Sequence, residues 1–489
     1  MKQKSLKLNA VMNMVKIIAG MIFPLITFPY TSRILGPEGT GKTNFAFSLV
    51  GNFVLLAAIG IPLYGIREVA KIRDDKKSLI ALIQELLILH CFASIVSTTA
   101  YLCLILFTHK LHEEFTLFLI VGTSIPLSAL AMDWLYQGLE EYVYITVRSI
   151  AFTSVSVVAL FLFVHHEEDY VSTAAITIIA TLGSSVLNFW NARTIIFAKR
   201  ELPWRFQRHI KPLIAVYALN FIVSIYINLD TVMLGFLSTA KNVGYYSSAM
   251  KLTRMLLSVV VSFGGVLLPR LSYYLANEMW GEFDRMLQKS LGVILLFCLP
   301  MTTALMMISR EILAVLAGSK YLPAAGCLVI TAPIILFIGL TNIFAIQILY
   351  PMGKEKSLVL SVSLGAVVAV AVNFLLIPRF GHFGAAWGTL SAESVVLIAQ
   401  FILVRRHYQI HWPLKNLVKY IYATAGMMGL LYAVRWGVPE NQMWIRLSID
   451  VPVGTGLYFV ILFLTGEEFS HEALVKLKAS LIQVVGVTN

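Results

Sequence analysis

Gly36-Pro37-Glu38-Gly39-Thr40-Gly41-Lys42-Thr43 matches the pattern G-x-x-x-x-G-K-[ST] in full. In a nucleotide-binding loop, a buried strand feeds such glycines. Their N–H groups cradle phosphates at a helix N-terminus, and the lysine reaches the same phosphates. Here one long apolar run precedes the motif and another follows it. The strand is missing from that context, and no polar stretch is long enough to supply the rest of a nucleotide fold. A tight turn with a helix start is expected, without ATP. His165, His166, Glu167, Glu168 and Asp169 form a compact polar run. Their types suit a metal, but a short solvated connection between apolar runs accounts for them. The 4 cysteines stand singly inside apolar stretches and read as small buried groups, not a disulfide frame or a metal site.

Ionisable residues inside the apolar runs are more informative. Each costs roughly 2.5–3.5 kcal/mol at mid-bilayer unless it is paired or wet. Lys16, Asp133, Asp230, Lys251, Arg254 and Glu393 lie in such runs. Lys251 and Arg254, three apart, share a helical face, and Asp230 is close to them in depth on the preceding run. Two cations against one carboxylate leave a positive surplus, so an anion is expected there; a structural ion pair is the plainer alternative. Glu393 is too deep to reach an interface, and a buried partner or a water-filled cavity is expected. Lys16, Glu85, Asp133 and Arg193 lie nearer run ends, where snorkelling is an alternative to burial. Asn188, Asn191, Asn220, Asn342, Gln347 and Asn373 would line a cavity or bond between helices.

These residues must be positioned by membrane helices. The chain has 489 residues, of which 58% are hydrophobic and 13% charged, against about half and about a quarter in soluble proteins. The apolar blocks are too long and too unbroken for a closed barrel. They give about fourteen spans, near 9–30, 43–66, 79–107, 115–136, 143–164, 172–197, 212–237, 247–275, 287–309, 325–349, 357–378, 384–404, 416–434 and 445–465. The first run lacks a small-residue cleavage site and reads as a retained helix. An even count puts both termini on one side. About 26 of the Lys and Arg residues fall on that side and about 9 on the other, so it is expected to be cytoplasmic. The net charge of +12 therefore reads as topology, not as nucleic-acid binding. The tail after Gly466 is weakly amphipathic and expected at the interface. Trp134, Tyr136, Trp204, Trp412 and Trp436 fit an interfacial aromatic belt.

The chain also hints at a repeat. GTGKTNFAFSLV resembles VGYYSSAMKL, and Gly41 with Gly244, Ala46 with Ala249 and Arg67 with Arg270 share one offset. Six spans separate the copies, so both would have the same orientation. The expected fold is all-α: two pseudo-symmetric six-helix lobes, 1–211 and 212–415, around a central cavity, with two further spans and a tail in 416–489. The loops are too short for a catalytic domain, no catalytic constellation is evident, and no filter or charged ring marks a channel. A transporter, not an enzyme, is expected.

FPLITFPYTSRILGPEGTGKTNFAFSLV followed by IPLYGIREVAKIRDD resembles the start of bacterial repeat-unit flippases of the O-antigen and capsule (Wzx) type. DWLYQGLEEY at 133–142, LDTVMLGFLSTAKNVGYYSSAMKL at 229–252 and VLLPRLS at 266–272 resemble later parts of that family. It belongs to the multidrug/oligosaccharidyl-lipid/polysaccharide exporter superfamily. The resemblance implies a two-lobed cavity that moves undecaprenyl-pyrophosphate-linked sugars to the outer leaflet, driven by a proton or sodium gradient and without a cofactor. A pyrophosphate calls for a cationic wall, for which Lys16, Arg33, Arg67, Lys251, Arg254 and Arg270 are the candidates. Asp133, Asp230 and Glu393 are the candidates for ion coupling. The implied partners are a lipid-linked oligosaccharide, the bilayer of the cytoplasmic membrane and the polysaccharide polymerase machinery. A multidrug cation antiporter and a lipid II flippase of the same superfamily are the alternatives.

Overall fold

The computed structural model describes residues 6–439 and 442–467; the amphipathic reading of the tail falls almost wholly outside them. Twenty α-helices follow one another among the described residues. They are α1 (Leu6–Ala58), α2 (Ile61–Ile72), α3 (Lys76–Phe107), α4 (His109–His112), α5 (Phe115–Gly122), α6 (Ser124–Leu130), α7 (Asp133–Gly138), α8 (Tyr142–Phe163), α9 (Tyr170–Ile178) and α10 (Ser184–Ile196). The rest are α11 (Gln207–Leu237), α12 (Ala240–Ala276), α13 (Trp280–Met307), α14 (Ser309–Leu316), α15 (Ala325–Thr331), α16 (Ile334–Asn342), α17 (Glu355–Phe380), α18 (His382–Arg405), α19 (Leu414–Gly437) and α20 (Met443–Leu464). Helices satisfy their own backbone groups, which hydrocarbon cannot do. Every expected span falls on helical chain, and no strand occurs among the described residues.

Among the described residues, 11 helical stretches are long and apolar enough to cross a membrane. The first, Leu8–Ile72, has 65 residues, about three times what one crossing needs. Gly36 divides it, with φ 63° and ψ −177°. That backbone favours glycine, which has no Cβ to clash, and Pro37 restarts the helix where a missing N–H costs least. The stretch thus contains both of the first two expected spans. A second break is at Met132, whose φ of 44° separates α6 from α7. Two π-helical segments, Ile179–Gly183 and Ile343–Leu349, interrupt the regular hydrogen-bond ladder.

Contacts gather the chain into two units. The first comprises Met1–Ser247 and Asn373–Ala385, and the second Ser248–Val372 and Ala386–Asn489. In the first, Tyr64 and Val69 of α2 pack with Leu82 and Leu86 of α3 and with Trp134 and Leu135 of α7. Glycines let these backbones approach. A Cβ on Gly65 would stand 2.5 Å from the Trp134 ring, and one on Gly138 would stand 2.7 Å from Val69. Close approach through small residues is the usual route to helix packing in lipid, where burial itself gives little drive. Asp75 caps α3 by accepting the N–H groups of Lys77 and Ser78, and the Ser78 hydroxyl together with these amides holds its carboxyl below the usual range. In the second unit, Tyr420, Met427 and Leu431 of α19 and Tyr458 of α20 pack on Leu295 and Leu296 of α13. The Tyr458 hydroxyl donates to the Leu296 carbonyl at 2.7 Å.

Candidate functional site

The helix break at Met132 presents Asp133 as the first residue of α7. Arg148, on α8, donates through Nη2 to Asp133 Oδ1 at 2.7 Å. Asn188 Nδ2, on α10, donates to the same oxygen at 2.8 Å and to the Ala131 carbonyl just before the break. Tyr136 donates to the Asn188 carbonyl at 2.8 Å, which holds α10 against α7. The other oxygen, Oδ2, lies 3.9 Å from Lys16 Nζ on α1. Four helices thus meet at one carboxylate. Arg148 is only 7% exposed, and its Nε and Nη1 have no hydrogen-bond partner.

Beside this cluster the first unit holds a cavity of about 330 Å³. Lys16, Gly20, Phe23 and Thr27 line it from α1, Thr153 and Ser156 from α8, and Thr177 and Thr181 from α9 and its π-helical continuation. Irregular turns of this kind often mark functional positions. Snorkelling is therefore not how Asp133 is accommodated. It is held by Arg148 and Asn188, with the partly exposed Lys16 3.9 Å away at the cavity.

Glu85 does not snorkel either. It is fully buried because the chain after α10 folds over it. Arg208 donates to Oε2 at 2.8 Å, Arg200 pairs with Oε1, and the Arg205 amide donates to Oε1 at 2.6 Å. His209 contacts Oε2 at 2.8 Å and the Tyr64 hydroxyl at 2.7 Å. Arg193 lies over the Trp190 ring at 4.4 Å.

Asp230, in the first unit, accepts from the Tyr246 hydroxyl at 2.9 Å and from Asn373 Nδ2 at 2.5 Å. Lys251 and Arg254 belong to the second unit, exposed on α12 as is Arg270. Glu393 is buried on α18. Arg33 is exposed beyond the first run, and Arg67 pairs with Glu68 at 2.9 Å while lying over the Tyr64 ring. Gln347 is buried within a π-helical segment. The Asn220 side chain lies outside the described residues.

The glycine-rich motif is helical from Pro37 onward, the turn with a helix start that its context implies. The Thr43 hydroxyl donates to the Gly39 carbonyl at 2.7 Å, one helical turn back. Lys42 Nζ pairs with Glu114 at 2.7 Å and Glu38 at 3.6 Å, over the Tyr170 ring. In the polar run, Asp169 Oδ2 accepts the His165 and His166 amides, both at 2.8 Å, and closes a short connection.

Arg148 and two residues of α20, Arg446 and Asp450, are buried charged groups that are not among the candidates above. Arg148 was legible. The turn after α7 places residue 133 about as far before it as residue 148 lies after it, so the two share a depth. The second group was harder to see. Arg446 and Arg435 both approach Glu311 of α14, at 3.5 and 3.4 Å, from elements far apart in sequence.

A long, all-helical membrane chain with charged residues held between its helices has the build of a polytopic transporter. The family model "Polysaccharide biosynthesis protein" matches residues 6–275, more than half of the chain, and the chain belongs to that family. A relative described as "Putative O-antigen transporter", from Escherichia coli (strain K12), is 22% identical over 415 residues, covering 82% of this chain and 97% of its own. "Probable low-salt glycan biosynthesis flippase Agl15" of Haloferax volcanii is 24% identical over 247 residues, covering 48% of this chain and 50% of its own. Among solved structures, "Lipid II flippase MurJ, inward closed conformation" aligns with a TM-score of 0.71 at 15% identity, covering 93% of this chain and 98% of that one. An inward-facing multidrug resistance MATE family transporter of the MOP superfamily aligns with a TM-score of 0.62 at 12% identity, covering 81% of this chain and 97% of that one. At these identities the two structures establish the fold: this is a multi-pass membrane protein with the fold of those transporters.

Proposed function

We propose that the protein is a flippase. It moves undecaprenyl-pyrophosphate-linked oligosaccharide repeat units from the cytoplasmic to the outer leaflet of the cytoplasmic membrane, for surface polysaccharide synthesis. The observation that carries this reading is a cavity between apolar helices whose wall bears hydroxyls and a lysine among apolar residues. The chain around it matches an O-antigen transporter over 97% of that protein's length. A relative described as "Lipid II flippase MurJ", from Bacillus subtilis (strain 168), adds to the support over part of its length, at 24% identity over 217 residues, covering 42% of this chain and 40% of its own. A charged, hydroxylated headgroup cannot cross hydrocarbon unaided, and hydroxyls and a lysine set between the helices answer that need.

In this reading Lys16, Arg33, Arg67, Lys251, Arg254 and Arg270 attract the pyrophosphate. Asp133, Asp230 and Glu393 couple the cycle to a proton or sodium gradient by alternating access. The lobes divide near residues 211 and 415, both termini are cytoplasmic, and polymerase machinery receives the product. Deleting the gene tests the whole. Surface polysaccharide should be lost while lipid-linked repeat units accumulate inside. Unchanged polysaccharide with new sensitivity to cationic drugs would favour a multidrug antiporter. Accumulated lipid II would favour a lipid II flippase.

A further inference from the structure

The cavity of the first unit has a largely apolar wall set with hydroxyls. Thr27, Thr153, Thr177 and Thr181 each spend their single hydroxyl proton on a carbonyl one turn back, at 3.0, 2.8, 2.8 and 2.9 Å. A hydroxyl that has donated keeps its lone pairs for accepting. Ser156 is 3% exposed and its Oγ has no partner. These hydroxyls suit O–H donors and the apolar remainder of the wall suits the C–H faces of a ring, so the cavity fits a ligand that carries both. Its one charged lining residue is Lys16, which suits an anion joined to that ligand. The volume, about 330 Å³, is at the small end of ligand pockets and suits one ring better than a long saccharide.

Lys16 has a second claim on it. It stands 3.9 Å from Asp133 Oδ2, and both side chains are partly exposed, at 29% and 40%. A pair this long and this wet is weak. The other Asp133 oxygen is secured by Arg148 and Asn188, so the carboxylate stays in place if the lysine leaves.

We propose that the cavity receives a hydroxylated ring joined to an anion, and that Lys16 moves between Asp133 and that anion as the ligand enters. This rests on the flippase reading and assigns it a subsite. The same chemistry is present where the first sugar joins the pyrophosphate and in an acidic sugar further along the saccharide.

The test uses the purified full chain in nanodiscs and three probes: a hexose on farnesyl pyrophosphate, farnesyl pyrophosphate alone, and a phosphate-free disaccharide of hexuronic acid. The sugar-bearing pyrophosphate should bind more tightly than the bare one. Thr153→Val with Thr181→Val should weaken the sugar-bearing probe by roughly two- to tenfold per hydroxyl and leave the bare one unchanged. Lys16→Met should weaken both, and Lys16→Arg should largely restore them. Asp133→Asn, by freeing Lys16, should tighten the sugar-bearing probe by about two- to fivefold. That variant leaves Arg148 without its counter-charge. Asp133→Asn with Arg148→Met removes both charges and should show the same gain. A folded threonine variant with unchanged affinity, or Asp133 variants that gain nothing, would overturn the subsite while leaving the flippase reading standing. Wild-type protein that binds none of the three probes would sink both. If the uronic disaccharide binds and responds to the same variants while the sugar-bearing pyrophosphate does not, the subsite stands and takes an acidic sugar.

Discussion

Asp133 and Arg148 form an uneven pair, and the unevenness has measurable consequences. Arg148 is almost wholly enclosed, whereas the Asp133 side chain is 40% exposed. Losing Asp133 strands a buried cation, and a stranded buried charge costs about 3–5 kcal/mol. Losing Arg148 leaves a carboxylate that water and Lys16 can still reach, at a smaller cost. Asp133→Ala should therefore reduce the amount of folded protein in the membrane more than Arg148→Ala does, and the double variant should recover part of the loss. Quantitative immunoblotting of membranes checks this. Equal losses in both single variants, with no recovery in the double, would mean that the pair is not coupled. The sequence showed Asp133 and Lys16 as charges out of place in apolar runs, because a charge in hydrocarbon is conspicuous on its own. It did not show that the break at Met132 brings four helices to one oxygen pair, nor that Glu85 is covered by the chain after α10. Those arrangements depend on contacts between residues 15 and 55 positions apart at Asp133 and 115 to 124 apart at Glu85.

At the scale of elements, the turn at Gly36 and the start of α12 meet in a reciprocal way. A Cβ on Gly41 would stand 1.7 Å from the Ala240 carbonyl oxygen, and a Cβ on Gly244 would stand 1.8 Å from that of Pro37. Asn44 donates to the Ser247 hydroxyl at 2.8 Å, between residues 203 apart. Pro37 and Ala240, and Gly41 and Gly244, share that offset. When residue i touches the counterpart of j, and j touches the counterpart of i, a local two-fold relation is present. The offset noticed in the sequence thus reappears as contact geometry. The glycines were legible as members of a repeat, but their need to be glycine was not, because the repeats touch each other only in three dimensions. Gly41→Leu or Gly244→Leu should force these helices apart. Cysteines at 44 and 247 in a cysteine-free background should cross-link, and either leucine substitution should abolish the cross-link. Retention of the cross-link in the leucine variants would contradict the close approach. Lys42, next in the same segment, is committed to Glu114. Lys42→Ala should therefore leave transport independent of ATP at a fixed ion gradient, and specific ATP binding lost on that substitution would reverse the reading of the motif.

At the scale of the whole molecule, span parity sorts the connections into two sets, and the contacts within each unit respect it. In the first unit, Arg73 pairs with Glu140 at 2.6 Å and Lys77 with Glu201 at 2.5 Å, joining connections expected on the side of the termini. Lys42 pairs with Glu114, and Lys110 donates to the Phe236 carbonyl at 3.2 Å and to that of Ser238, joining connections expected on the opposite side. In the second unit, Tyr408 and His411 meet Asp284 on one side, while Arg435 meets Glu311 on the other. None of these bonds joins the two sets, as an odd number of crossings between any two connections of opposite set requires. Which set faces the cytoplasm is a question of charge. The set that holds the loop at 67–78 carries the large Lys and Arg excess, and short basic loops stay inside. A single cysteine placed at 73 in a cysteine-free background should resist an impermeant thiol reagent in intact cells and react once the membrane is opened. A cysteine at 113 should react in both preparations, since Glu113 is exposed on the opposite side. Labelling at 73 in intact cells with protection at 113 would invert the orientation and, with it, the leaflet from which the proposed flippase takes its substrate.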